Sequence, residues 1–302
     1  MDHLSLYNSP DGHHAMMAWY ARGLAQAPVP YESITVPTRF GDSHLLAAGS
    51  ADAPPVILLH GMEGNALSWR YQMDELRADF RLYALDIIGS AGKSTPVRLS
   101  HQGHDYARWL EDILAGLRLD RASFVGMSNG SWLIMKLATY RPHVIDRAVL
   151  MSANGLMPVR FPYRLARLLE SSRVRAVRNV VTDRMFTREM ARLAVSFATP
   201  RGTRVDPMEV EWFYLLAKHY EYRFPPAPLA DDELRALTSP TYLLMGEREH
   251  FFVPDQVIAR ARRLLPNLHE AMIVPNVGHN MATDAPREIN RRLRALLASQ
   301  QM

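Results

Sequence analysis

One stretch constrains this chain more than any other. In Ser123-Phe124-Val125-Gly126-Met127-Ser128-Asn129-Gly130-Ser131-Trp132-Leu133, an apolar run ends in Gly-x-Ser-x-Gly and a helix-forming run follows. A serine on so sharp a strand-to-helix turn takes a strained backbone, so the residues two before and two after it must be small. Gly126 and Gly130 meet that need. The turn lifts the Ser128 hydroxyl clear of the sheet edge, and the helix beginning at Asn129 aims its free N–H groups at the same spot.

The flanking sequence supplies the context that such a turn requires. Val56-Ile57-Leu58-Leu59 is a continuous apolar run suited to a strand buried on both faces. Trp69 to Phe80 reads as a helix, Arg81 to Ile88 as a strand, His104 to Leu117 as an amphipathic helix, Asn129 to Tyr140 as a helix and Ile145 to Met151 as a strand. After a break the rhythm returns: strand Thr241 to Met245, helix Pro254 to Leu265, strand Glu270 to Val274 and helix Pro286 to Ser299. Strands alternating with helices imply an α/β fold with a mostly parallel sheet. Upstream, Tyr31 to Val36 and Ser43 to Ala48 flank the turn signal Gly41-Asp42 and predict an antiparallel hairpin. Residues 1–30 read as a peripheral extension with a short helix over Asp11 to Leu24. Residues 155–237 read as a helical insertion, with helices over Phe161–Ser171, Arg178–Phe197 and Met208–Tyr222. The expected core is therefore 31–154 with 238–302.

Composition narrows the chemistry. The 302 residues contain no cysteine, which excludes disulfides, thiolate nucleophiles and Cys-ligated metals. The net charge of +4 comes from scattered arginines rather than one aromatic-laced basic face, so no nucleic-acid partner is expected. No apolar run of about 18 residues is present, so no membrane span is expected. The amino terminus has neither a basic start nor an apolar core, so a cytoplasmic location is the expectation. Gly92-Lys93-Ser94 looks like the end of a phosphate-binding loop, but position 87, where that motif needs glycine, is Ile87. No metal site and no cofactor are implied.

A serine hydroxyl needs a base within hydrogen-bond reach, and the base needs an orienting carboxylate. In an α/β sheet these groups are found at the carboxyl ends of strands. After the strand ending at Met245 comes Gly246-Glu247-Arg248-Glu249-His250-Phe251-Phe252, and after the strand ending at Val274 comes Pro275-Asn276-Val277-Gly278-His279. His279 is the candidate base; Glu249 and Glu247 are the candidate acids.

Nearly the whole chain from Tyr31 resembles the α/β-hydrolase superfamily. The order serine, acid, histidine is that family's order. His60-Gly61 resembles its loop after the third strand, and Asp86-Ile87-Ile88-Gly89-Ser90-Ala91-Gly92-Lys93-Ser94 resembles its Asp-x-x-Gly loop with one residue added between the glycines. Residues 155–237 stand where the family inserts a helical cap. The resemblance places Glu249 at the family's acid position, in glutamate form, and leaves Glu247 as the rival. It implies that the backbone N–H groups of Met62 and Asn129 form the oxyanion hole and that His60 is structural. Ser131 departs from the glycine many relatives carry behind the elbow. The implied activity is a serine esterase acting on a small, largely apolar carboxylic ester or thioester through an acyl-enzyme. The same triad could serve C–C bond hydrolysis, perhydrolysis or acyl transfer, and a non-catalytic binding protein on the same fold is a third possibility. A small-molecule acyl substrate is the expected partner, with monomer and homodimer both open. Trp69, Phe251, Phe252 and Trp212 are candidates for lining an apolar pocket, as are Met185, Phe186, Phe213 and Tyr214, although aromatics at helical spacing more often pack inward.

Overall fold

The computed structural model describes residues 6–28, 30–160, 185–200, 205–221 and 225–298. Eight strands form one sheet: β1 (Glu32–Thr38), β2 (Gly41–Ala48), β3 (Pro55–Leu59), β4 (Arg81–Leu85), β5 (Ala122–Met127), β6 (Ile145–Met151), β7 (Thr241–Gly246) and β8 (Leu268–Val274). Their spatial order is β1-β2-β4-β3-β5-β6-β7-β8. The expected hairpin is present: β1 and β2 pair antiparallel, β2 runs antiparallel to β4, and every later pairing is parallel.

Two apolar layers enclose the sheet, because side chains alternate along each strand. In β3, Ile57 and Leu59 enter one layer while Val56 and Leu58 enter the other; in β6, Ala148 and Leu150 oppose Val149 and Met151 in the same way. Helices α3 (Asp105–Gly116), α4 (Asn129–Ala138) and α8 (Pro254–Leu264) cover the first face. Helices α1 (Pro10–Ala25), α2 (Arg70–Leu76) and α10 (Pro286–Ala298) cover the second. A short 3-10 turn, Ala66–Trp69, leads into α2, and α9 (Met281–Asp284) leads into α10.

The amino-terminal helix is not peripheral, contrary to the sequence expectation. Ser9 caps it by accepting from Gly12 N–H, and it buries Met16, Trp19 and Tyr20 in the second layer. The error has a physical source: α1 is weakly amphipathic, so its sequence shows little of the face it buries.

In the insertion, the described residues form helices α5 (Arg188–Ala198), α6 (Pro207–His219) and α7 (Asp231–Arg235). The expected helix Phe161–Ser171 and the first part of Arg178–Phe197 lie outside the described residues. Trp19 of α1 donates to the Met208 carbonyl at 3.1 Å, and its ring lies 4.4 Å from that of Trp212, so α1 joins α6 to the sheet. The chain returns to the core early: Leu229 N–H donates to Gly155 O at 2.9 Å, and Leu229, Leu234 and Leu237 are buried in the first layer. Among the described residues, no helix is long and apolar enough to cross a membrane.

Candidate active site

The elbow is built as its glycines require. Ser128 has φ 52° and ψ −109°, in the left-handed region, and its N–H is anchored on Met151 O at 2.8 Å. A Cβ on Gly126 would lie 2.5 Å from the Gly130 carbonyl carbon, and one on Gly130 would lie 2.0 Å from Leu59 O. Neither position accepts a side chain. Ser131 is accommodated by hydrogen bonds, donating from Oγ to Gly126 O at 2.7 Å and lying 3.3 Å from Met151 O. Ser128 itself is half-buried and reachable.

Glu249 and His279 meet at the ends of β7 and β8. Both carboxylate oxygens of Glu249 lie within 2.8–2.9 Å of His279 Nδ1. Glu249 is buried, 5% exposed, whereas the His279 side chain keeps 14%. Burial pushes the Glu249 carboxyl pKa upward, but the His279 contact, Phe251 N–H and the Ser152 hydroxyl outweigh it and hold the group below the usual carboxylate range. Glu247 is exposed and takes the Asn276 N–H at 2.8 Å, so it braces the histidine loop rather than touching the imidazole. The two loops can approach because a Cβ on Gly246 would sit 2.4 Å from the Val277 and Gly278 carbonyls.

Two further residues support this loop, and sequence reasoning missed both. Ser152, at the end of β6 with φ 44°, donates to His279 O at 2.9 Å as well as stabilising the Glu249 carboxylate. Asp284 in α9 accepts from Gly278 N–H at 3.0 Å. Burial, together with the negative charges of Glu209 and Glu249, pushes its carboxyl up to about 7 despite that bond. Nothing in a lone serine after a strand signals such a role; only the adjacency of β6 and β7 brings Ser152 to the acid.

The His60-Gly61 turn lies against the elbow, a Cβ on Gly61 being 3.5 Å from that of Ser128. Ile87 N–H donates to His60 Nε2 at 3.1 Å, so the proton is on Nδ1, which donates to Gly61 O at 2.6 Å. Full burial lowers the pKa of this imidazole and keeps it neutral. Glu63 follows with φ 63°, and its carbonyl accepts from Trp212 Nε1 at 2.8 Å, tying the loop to α6. Met62 and Asn129 line one cavity of about 30 Å³, enough for one or two water-sized groups. Glu63, Arg98 and Tyr220 also line it, together with Ile87 and Tyr106, so its wall mixes charged and apolar groups.

The aromatic candidates are placed otherwise. Trp69 is fully buried in the second layer beneath the sheet, and Phe252 is 1% exposed in the first. Neither lines this cavity, because both apolar rings have a closed core to fill. Phe251 stays exposed and sets its edge against the His279 ring at 4.7 Å. Trp212 reaches the Met62-Glu63 turn through the Glu63 carbonyl. In the insertion, Phe186 packs against Phe213 and Tyr214.

The Gly92-Lys93-Ser94 run embraces a carboxylate of its own chain. Lys93 N–H donates to Asp86 Oδ2 at 2.9 Å, Ser94 Oγ donates to the Asp86 carbonyl, and a Cβ on Gly92 would lie 2.6 Å from Asp86 Cγ.

Comparison with known proteins agrees with this architecture. Residues 56–292 match the family described as the alpha/beta hydrolase family. The chain is 30% identical over 289 residues to carboxylesterase YbfK of Bacillus subtilis, covering 92% of each chain. It is 29% identical over 281 residues to a second Bacillus subtilis protein, the uncharacterized carboxylesterase nap, covering 91% of this chain and 89% of that one. The crystal structure of naproxen esterase from Bacillus subtilis superposes with a TM-score of 0.80 at 26% identity, over 96% of this chain and 99% of that one. With the sheet order, the serine elbow and these matches on a single chain, the protein is a hydrolase belonging to the alpha/beta hydrolase family.

Proposed function

We propose that the protein hydrolyses small carboxylic esters or thioesters through an acyl-enzyme on Ser128. The observation that carries this reading is the buried Glu249 carboxylate on His279 Nδ1, in a chain that also holds Ser128 in a strained elbow at the end of β5. Glu249 fixes the tautomer that leaves Nε2 free to act as base. Ser128 Oγ attacks the substrate carbonyl as its proton passes to His279 Nε2. The C–O or C–S bond breaks, the leaving group takes that proton, and water then clears the acyl group by the same route. The N–H groups of Met62 and Asn129 receive the oxyanion, each such donor lowering the barrier by roughly 3–4 kcal/mol.

In this reading helix α6 of the insertion stands over the site and helps select the substrate; the hydrogen bond from Trp212 to Glu63 supports that role, since it links α6 to the loop carrying Met62. Because Glu63 and Arg98 line the cavity beside the oxyanion donors, the group seated there is short and polar. The bulk of the substrate lies toward Phe251 and the insertion. The test is a panel of chromogenic esters with matched acyl chains, run with the native protein and Ser128→Ala. A burst of product stoichiometric with the native protein, absent from the variant, is expected. No turnover of any acyl ester by the native protein would overturn the reading.

A further inference from the structure

We propose that Ser33 is a second activated hydroxyl, a surface modification site for small activated acyl and phosphonyl donors. It rests on residues outside the site described above. Ser33 lies exposed on β1, and its Oγ is 2.8 Å from His44 Nε2. His44 Nδ1 is 2.8 Å from Asp86 Oδ2. The His44 side chain is 7% exposed and Asp86 fully buried. Serine, imidazole and carboxylate are thus connected atom for atom as Ser128, His279 and Glu249 are proposed to be.

The sheet order explains the placement. β1, β2 and β4 are adjacent, Ser33 and His44 lie diagonally on one face of the hairpin, and Asp86 directly follows β4. The carboxylate is held from four directions: by His44, by Tyr20 Oη at 3.3 Å, and by the N–H groups of Ala66 and Lys93 at 2.8 and 2.9 Å. Burial pushes the Asp86 carboxyl pKa upward, but His44 and these donors prevail and keep it ionised. An ionised acceptor at Nδ1 holds the proton there and points the Nε2 lone pair at the serine hydroxyl. Water could satisfy an exposed serine; here a buried base does so instead.

β1 is the outermost strand, and an edge strand presents unpaired backbone N–H groups that can receive developing negative charge. Four strand spacings separate β1 from β5, roughly 19 Å, so this relay acts apart from the elbow. Donors are therefore selected by leaving-group reactivity: aryl esters, thioesters and fluorophosphonates. With a fluorophosphonate, the Oγ–P bond forms, the P–F bond breaks and its electron pair leaves on fluoride. The hydroxyl proton passes to His44 Nε2 and then to solvent. With an aryl ester, the Oγ–C bond forms as the hydroxyl proton passes to His44 Nε2, the acyl C–O bond to the aryl group breaks, and the departing phenolate takes the proton from His44.

The test treats Ser128→Ala protein with excess fluorophosphonate and maps adducts by peptide mass spectrometry over time. Ser50 and Ser100, exposed serines on the same chain, are the internal reference. Ser33 is expected to label at least roughly a hundredfold faster than either, the lower end of what a positioned base contributes. The adduct disappears in Ser33→Ala/Ser128→Ala and slows by a similar factor in His44→Gln/Ser128→Ala. Labelling of Ser33 no faster than that of Ser50 and Ser100 would overturn the proposal and reduce the relay to a cross-strand hydrogen-bond ladder. Equal labelling with and without His44 would also overturn it. Should the His44 variant fail to fold, the comparison within one protein decides alone.

Discussion

Serine, histidine and acid are hydrogen-bonded in series at the hairpin, and the elbow, where we propose the same trio, is surrounded quite differently. At the elbow, Ser128 sits at φ 52° immediately before α4, beside the Gly61 backbone and next in sequence to Asn129, which lines a cavity. At the hairpin, Ser33 lies in an ordinary strand at the sheet edge. The two imidazoles hold comparable hydrogen bonds to their carboxylates, 2.8 Å at Nδ1 in each case. The difference teaches that a relay supplies a nucleophile but not an enzyme. Turnover needs charge stabilisation fixed in advance and a place to hold the substrate, and only the elbow brings the helix terminus, the loop and the cavity together.

The comparison can be broken most directly at the serines. Ser128→Ala is expected to lower kcat for ester hydrolysis by about 10⁴–10⁶-fold, as loss of a triad nucleophile does elsewhere. Ser33→Ala should leave steady-state turnover unchanged, so a loss there would erase the distinction between the two trios. At the acids, Glu249→Gln should cost about 10³–10⁴-fold in kcat with little change in KM, whereas Glu247→Gln should cost less than about twofold. Steady-state kinetics of the two variants side by side checks that assignment; equal losses would undo it.

A finer test is Ser152→Ala. Losing this donor raises the Glu249 pKa and loosens the His279 loop. We expect kcat/KM to fall about tenfold and the acidic limb of the pH–rate profile to move to higher pH. A purely structural serine would lower stability without moving that limb.

The smallest effect concerns stability. The folded pKa of Asp284 is raised from 3.8 to about 7. The folded protein therefore favours the protonated form. That contribution is fully present below the unfolded value and is lost as pH rises through about 7. Asp284→Asn keeps an acceptor for Gly278 N–H and removes the charge. It should stabilise the protein at pH 8 by about 1–3 kcal/mol, with the gain shrinking toward zero near pH 4. Thermal melts at three pH values measure it, and a gain independent of pH would contradict the account.

How much of this could be read from the chain depended on whether the constraint was local. The elbow was legible because two glycines four residues apart answer a backbone demand that no other residue satisfies. The strands were legible because burial on both faces leaves continuous apolar runs; the resemblance pointed to Glu249, whose carboxylate lies on His279 Nδ1. Ser152, Asp284, Arg98 and Tyr220 were not, because each acts across the fold from a segment with no pattern of its own. Trp69 and Phe252 misled for the opposite reason: their size marks them as important without saying to what. The Ser33 relay was invisible in the chain, since its members fall at positions 33, 44 and 86 and meet only through strand order.

The contact between position 130 and Leu59 O bears on how the fold tolerates change. With only 2.0 Å available for a Cβ, main chain rests on main chain, and the gap between Ser128 and the His60-Gly61 loop is gauged without any side chain. Such a gauge is indifferent to what covers it. Substitutions in the insertion helices α5 and α6 should therefore leave this spacing as it is, because no side chain of theirs sets it.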